Sequence, residues 1–341
     1  MIKLFNIFIA GLDRKVGAAI KGTPQTTIKI DSSQAARFRK AAEKQAAANE
    51  QRWIESSYKR MEQDVSRYRA KAPASVPTGK GLVHNLWNIA VNAIDNTVGY
   101  GIAKYQNYRT RRELRKDPES KKQIVYLMHG VMQNKGSQWR LARDLKKKGY
   151  AAYHLKVDHS LTRKDGADRA FGQVKELHDY TGIKNAEKRK DLLTGHSSGA
   201  DLGIFMASDP RIKEYGISRV QARAPAPYGI KPATFGQKLL MPIATQDDLR
   251  KLGPKRNAVE MYGRKPIVPV DVVAGTYDKL VRPRDAAYKH ADRHYILTGP
   301  NSTHFATCGI GGIEKKAKEG DKMDIVNINP ILIELMTNKG Q

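Results

Sequence analysis

The 341-residue chain has a single cysteine, Cys308, so no internal disulfide can brace it and the fold must be held by packing. That thiol usage fits a reducing compartment. No run of about 20 apolar residues occurs, so no spanning helix is expected. Met1 to Leu12 places Lys3 before a short apolar run, but Asp13, Arg14 and Lys15 follow ahead of any small-residue cleavage site. That order is wrong for a cleaved leader; the expected location is cytoplasmic, at most peripheral to a membrane. Paired His/Cys spacings are missing, and with them the case for a metal. The fingerprint G-x-G-x-x-G is missing too, and Gly309-Ile310-Gly311-Gly312 follows no strand. Gly79-Lys80 is no phosphate loop, because the required earlier glycine falls on Ala74. No cofactor is expected.

Negative charge is scarce. There are 61 Lys+Arg against 34 Asp+Glu, a formal net charge of +27. Residues 1–120 hold 22 basic and 11 acidic residues, and the rest hold 39 and 23, so the excess is spread over both parts. Such a field attracts polyanions without naming one. No specific nucleic-acid recognition is expected.

Two helices are expected in a basic N-terminal extension, 1–120. The first covers about 31–70, capped by Asp31 or Ser32, and carries an apolar seam of Ile54, Tyr58, Met61, Val65 and Tyr68. Two to three heptads are short for an independent coiled coil, so packing on the main domain is preferred. Residues 71–81, with Pro73, Pro77, Gly79 and Gly81, read as a linker. The second helix covers about 82–104, with Val83, Leu86, Trp87, Ala90, Val91, Ile94, Val98 and Ile102 on one face. Tyr105, Tyr108, Arg109, Arg111, Arg112, Arg115 and Lys116 follow. The preferred reading docks this face on the main domain and leaves the charged end in water. The other reading lays it on an anionic membrane surface.

From 121 the pattern changes. Apolar runs at Ile124–Met128, Ala151–Val157, Leu192–Thr194, Arg219–Ala224, Val268–Ala274 and His294–Leu297 alternate with helical stretches. The helices are expected at Trp139–Lys148, Ala167–Tyr180, Ser198–Ala207, Arg284–Ala291 and Pro330–Met336. Strands alternating with helices imply an α/β fold with a mostly parallel sheet covered on both faces. Residues 228–266 are expected to form a small cap with an apolar wall (Phe235, Leu239, Leu240, Met241, Ile243). Its basic rim includes Arg250 and Lys251.

Chemistry concentrates at four strand ends. Gly195-His196-Ser197-Ser198-Gly199 joins a strand to a helix, and G-x-S-x-G there reads as a nucleophile elbow whose glycines make room for a strained serine. Ile124–Met128 runs into His129-Gly130-Val131-Met132, a loop able to aim the N–H of Val131, or of Met132, at an oxyanion together with that of Ser198. Val272–Gly275 leads to Asp278, and Ile296-Leu297 leads to His304. Of the other histidines, His129 and His196 read as motif neighbours, and His84, His154, His159, His178, His290 and His294 as packed or exposed. Asp271 lies at the start of its strand, the wrong end, and Asp285 and Asp292 fall in or after a helix.

On these motifs residues 121–341 resemble the α/β-hydrolase superfamily, nearest in layout to small bacterial serine lipases and esterases. The resemblance implies a triad in the order Ser197, Asp278, His304. Ser197 would attack an acyl carbonyl, His304 would act as general base and then acid, and Asp278 would orient the imidazole. The implied reaction is cleavage of a carboxylic ester, in a small molecule or a lipid, through an acyl-enzyme. Thioesterase or acyltransferase chemistry with the same triad stays open, as does a non-catalytic binding protein docking on polyanions. Residues 1–120 match no part of the family, and Pro225-Ala226-Pro227-Tyr228-Gly229 lacks the histidine that lipases often carry there.

Overall fold

The computed structural model describes residues 32–72, 82–120, 122–131, 133–229, 253–298, 302–309 and 329–337. Most of linker 71–81, Met132, most of the cap, loop 299–301 and the glycines after Gly309 lie outside them. The chain divides into two compact units, 1–53 and 54–341. The described part of the first is the opening of helix α1 (Ser32–Arg69), whose exposed face carries an Arg39–Glu43 pair one turn apart.

In the second unit, six parallel strands form one sheet: β1 (Ile124–Met128), β2 (Ala151–His154), β3 (Asp191–His196), β4 (Ile217–Arg223), β5 (Val270–Gly275) and β6 (Arg293–Leu297). Their spatial order is β2-β1-β3-β4-β5-β6. All residues of β1, β3 and β5 are buried, as strands covered on both faces must be. Connections run through α3 (Trp139–Lys147), α4 (Arg163–Thr181), α5 (Ser198–Ala207) and the short α6 (Arg211–Glu214). One face buries Tyr126, Phe171, Leu193 and Phe205. The other buries Val125, Leu127, Leu141 and Leu145 against α9 (Asn329–Thr337). Two further helices are α7 (Gly253–Gly263) and α8 (Pro283–Ala286). The helix expected to reach Ala291 stops at Ala286, because Ala287 turns to ψ 126, an extended conformation.

The seam of α1 does pack on this body. Met61 and Val65 join the sheet's main core, and Asp64 accepts from Tyr262 and Lys289.

The second N-terminal helix, α2 (Leu82–Lys116), runs twelve residues further than expected and docks by only part of the expected face: Val91 is buried, and the side chains of Val83, Leu86 and Trp87 lie outside the described residues. Ile94 and Val98, expected inside, are 54% and 64% exposed. The buried side is mixed: Val91, Ala103 and Leu114 go in together with Asn92, Asp95, Asn107 and Thr110. Asn107 acts as a surrogate strand: its Nδ2 donates to the carbonyl of His154 (2.9 Å) and its Oδ1 accepts that residue's N–H (2.8 Å). Thr110 donates to the carbonyl of Ala152 (2.9 Å). β2 is the edge of the sheet, and α2 covers the unpaired backbone that an edge strand otherwise presents. Further along, Asp95 accepts from Trp139 Nε1 (2.7 Å) and Arg140, and Asn96 Oδ1 accepts from Asn134 N–H. Backbones meet closely there, since a methyl group on Gly136 would run into α2 at Asp95 and Tyr100.

Candidate active site

In a parallel sheet the strand C-termini share one edge, and loops leaving that edge converge. His129, Ser197, Thr276–Asp278 and the His304 segment all leave it.

Ser197 stands between β3 and α5 at φ 53, ψ −125. A positive φ on a non-glycine residue costs on the order of 1–3 kcal/mol and persists only when the surroundings enforce it. Here its N–H donates to the carbonyl of Arg223 (2.8 Å), and its own carbonyl accepts from Ala200 (2.8 Å) and Asp201 (3.1 Å). The turn leaves no space for side chains beside it. A methyl group on Gly195 would strike the backbone of Gly199, and one on Gly199 would strike the carbonyl of His129. The Ser197 side chain is partly exposed, with no hydrogen-bond partner among the described residues.

The loop after β1 lies against this serine. A methyl group on Gly130 would sit 2.9 Å from Ser197 Cβ. Gly130 N–H donates to Gln133 Oε1 (2.8 Å), closing a short turn with Val131 at its bend. Ser198 opens α5, and the first N–H groups of a helix point out of its N-terminus. His129 fastens the loop from behind, its Nδ1 bonding the Gly130 carbonyl (3.1 Å) while its Nε2 accepts from Val157 N–H (3.3 Å).

His304 Nδ1 lies 2.8 Å from Asp278 Oδ2. The carboxylate is fully buried, and its Oδ1 accepts from the N–H groups of Leu280 (2.8 Å) and Val281 (2.7 Å). An ionised acceptor at Nδ1 keeps the proton there and leaves Nε2 as the basic lone pair. The loops that carry the pair are joined. Thr276 N–H donates to the Leu297 carbonyl (2.9 Å), and Gly275 packs on the Ser302 carbonyl so tightly that no Cβ fits.

A buried polar web underlies the pair. His196 Nε2 donates to the His304 carbonyl (2.8 Å), and the two rings lie 4.6 Å apart. His196 Nδ1 faces Gln133 Oε1 (3.1 Å), and Gln133 Nε2 donates to Asn92 Oδ1 (3.0 Å). Arg223 Nη1 donates to the carbonyls of Thr307 (2.9 Å) and Cys308 (2.8 Å), pinning the segment after His304. Burial lowers the Arg223 pKa to about 10. On the other flank of Ser197, His159 Nδ1 is 3.1 Å from Ser198 Oγ. Burial keeps the neighbouring imidazoles neutral: His129 is pushed down to about 3, His159 to about 4, and His196 well below its ordinary value.

The structure thus brings Ser197, Val131, Ser198, Asp278 and His304 to one edge. Sequence reasoning missed Gln133, Arg223, His159 and Asn92. Arg223 had left a signal: Arg219, Gln221 and Arg223 alternate in a strand that should be apolar on both sides. Among the described residues no group of three His, Cys, Asp or Glu side chains is placed to hold a metal ion.

No family model and no curated protein matches the chain. Among solved structures it is similar to a monoacylglycerol lipase of Paleococcus ferrophilus, with 18% identity, TM-score 0.39, and coverage of 53% of this chain and 85% of that one. It is also similar to the naproxen esterase of Bacillus subtilis (15%, 0.36, 55% and 79%) and to the thioesterase domain from the curacin biosynthetic pathway (15%, 0.37, 56% and 88%). The parallel strand order and the strained serine between β3 and α5 are read from the chain itself, and by them the core has the α/β-hydrolase fold.

Proposed function

We propose that the protein is a serine hydrolase that cleaves a carboxylic ester through an acyl-enzyme on Ser197. The observation that carries this reading is the buried His304–Asp278 hydrogen bond of 2.8 Å, delivered to the sheet edge where Ser197 is held at positive φ. In this reading His304 Nε2 takes the proton of the Ser197 hydroxyl as Oγ adds to the acyl carbonyl. The oxyanion is met by the N–H groups of Val131 and Ser198. His304 then returns the proton to the leaving alcohol, and water repeats the sequence to release the acid. Asp278 holds the tautomer and stabilises the imidazolium. In this reading the Ser197–His304 hydrogen bond forms when substrate fills the site, since catalytic contacts are often long or absent without it.

A fluorophosphonate probe tests the proposal. Wild type should label stoichiometrically, Ser197→Ala not at all, and His304→Ala far more slowly. A folded wild type that fails to label, with and without detergent, would overturn it. Hydrolysis of p-nitrophenyl esters of rising chain length then reports the acyl preference.

A further inference from the structure

Helix α2 carries apolar residues on both of its sides. An ordinary surface helix buries its aliphatic side chains and shows polar ones to water. Here Val91, Ala103 and Leu114 are buried together with Asn92, Asp95, Asn107 and Thr110, while Ile94, Val98, Tyr105 and Tyr108 stand 54–64% exposed. Residues 94, 98, 101, 105, 108 and 112 follow one another at spacings of four and three, so they form one line along the helix. Arg112 ends that line, and exposed Lys104, Arg109, Arg115 and Lys116 flank it. From residue 89 to 116 the helix holds just two carboxylates, and neither faces outward freely. Asp95 is buried on Trp139 and Arg140, and Glu113 is shared by Lys146 (2.6 Å), Arg109 (3.5 Å) and Lys122 (3.9 Å), more cation than one carboxylate neutralises.

The inward contacts account for one side only. The polar groups there are required to satisfy the edge of β2 and the loop after β1. Among the described residues nothing packs on the outward isoleucine and valine enough to bury them. A face with aliphatic residues at one end, tyrosines along its middle and cations beside them matches the layered chemistry of a lipid headgroup region. The positive charge continues past the helix: Lys135 has its pKa lowered by burial and by the nearby Arg111, Lys156 and Lys104. Lys135 and Lys156 follow β1 and β2, the same sheet edge from which the Ser197 turn leaves.

We propose that the outward face of α2 docks on an anionic membrane surface, with Ile94, Val98, Tyr105 and Tyr108 entering the interface and Lys104, Arg109, Arg112, Arg115 and Lys116 on its phosphates. A second copy of the chain fits less well, because pairing two such faces buries the cations without counter-ions. Nucleic acid would answer the cations but leave the aliphatic residues without a partner. Docking does not depend on the proposed catalysis.

The test is co-sedimentation of the full chain, in the Ser197→Ala background, with vesicles of phosphatidylcholine alone or with phosphatidylserine. Binding to the anionic vesicles alone, weakened by salt, is expected. The triple change Lys104→Gln, Arg109→Gln, Arg112→Gln should weaken it on the order of 100-fold. An equal charge loss elsewhere, Lys148→Gln, Lys188→Gln and Lys213→Gln, should change it little. Val98→Asp should weaken vesicle binding strongly without lowering the melting temperature, since that side chain is exposed. Four results would overturn the proposal: no sedimentation, equal sedimentation with neutral vesicles, equal loss in both triple variants, or an Ile94-dependent dimer with no vesicle binding. Binding to an RNA homopolymer that displaces the vesicles and ignores Val98→Asp would overturn it in favour of a nucleic-acid partner.

Discussion

At the scale of single residues, the Asp278–His304 pair makes the sharpest demand. Asp278 has two jobs on two oxygens: Oδ1 shapes its own turn through Leu280 and Val281, and Oδ2 faces His304. Asp278→Asn keeps the first job, because the amide oxygen still accepts. It puts an N–H donor or a neutral acceptor where the carboxylate was, so the imidazole loses its preferred tautomer. Hydrolysis should fall by about 10⁴-fold in kcat with KM little changed, and the melting temperature should hold. A large fall in stability with proportionate loss of folded enzyme would instead make Asp278 a turn-former. Ser197, Asp278 and His304 were legible from their order and from the strand ends they follow. Their supports were not. Gln133 is three residues past Gly130, and His196 reads as a motif neighbour, yet their link to Asn92 joins segments that no local pattern connects.

Single elements show why sequence periodicity misled at α2. A hydrophobic face was present and was assumed to point inward. The competing demand is hydrogen bonding: an edge strand carries a row of unpaired donors and acceptors, and satisfying them outweighs the exposure of two aliphatic side chains. Asn107 and Thr110 lie on the one line of α2 that reaches β2. Asn107→Leu preserves volume but strands both backbone groups of His154, so it should cost about 2–4 kcal/mol. Thr110→Val strands one carbonyl and should cost about 1–2 kcal/mol. Both are measured by urea unfolding. Asn107→Leu should also aggregate on mild heating, through the uncovered edge. If the two variants unfold at the wild-type midpoint, α2 is an accessory rather than the closing piece of the sheet. The strands themselves were legible to within a few residues, because buried parallel strands read as plain apolar runs.

For the molecule as a whole, the buried histidines predict how stability responds to acid. Among the described residues, burial lowers the pKa of His129 and His154 to about 3 and of His159 and His178 to about 4, with His196 also well below its ordinary value. Each imidazole regains its ordinary value, about 6.5, when the chain unfolds. Below that pH the unfolded state binds protons that the folded state refuses, so stability falls as pH falls, until the folded pKa is reached. At about pH 5 the deficit is roughly 2 kcal/mol for each of the deeply buried rings. Asp201 works in the opposite direction. Burial raises its pKa to about 6, against the pull of Arg163 and the Ala226 N–H, so its folded form gains relative stability as pH falls from about 6 to 4. Burial also raises the carboxyls of Asp95, Asp191 and Asp271, which act in the same direction and offset part of the imidazole contribution. Against a total stability of about 5–15 kcal/mol, the melting temperature should drop by at least about 10 °C between pH 7 and pH 5. Calorimetry across that range checks it. His154→Gln is the discriminating variant, because glutamine offers Gln106 an amide donor in place of Nε2 but takes up no proton. Its melting curve should shift less with pH than that of wild type. A melting temperature that stays flat from pH 7 to pH 5 would mean these rings are hydrated in the folded protein, and the closely packed web beneath the serine would have to be redrawn with water in it.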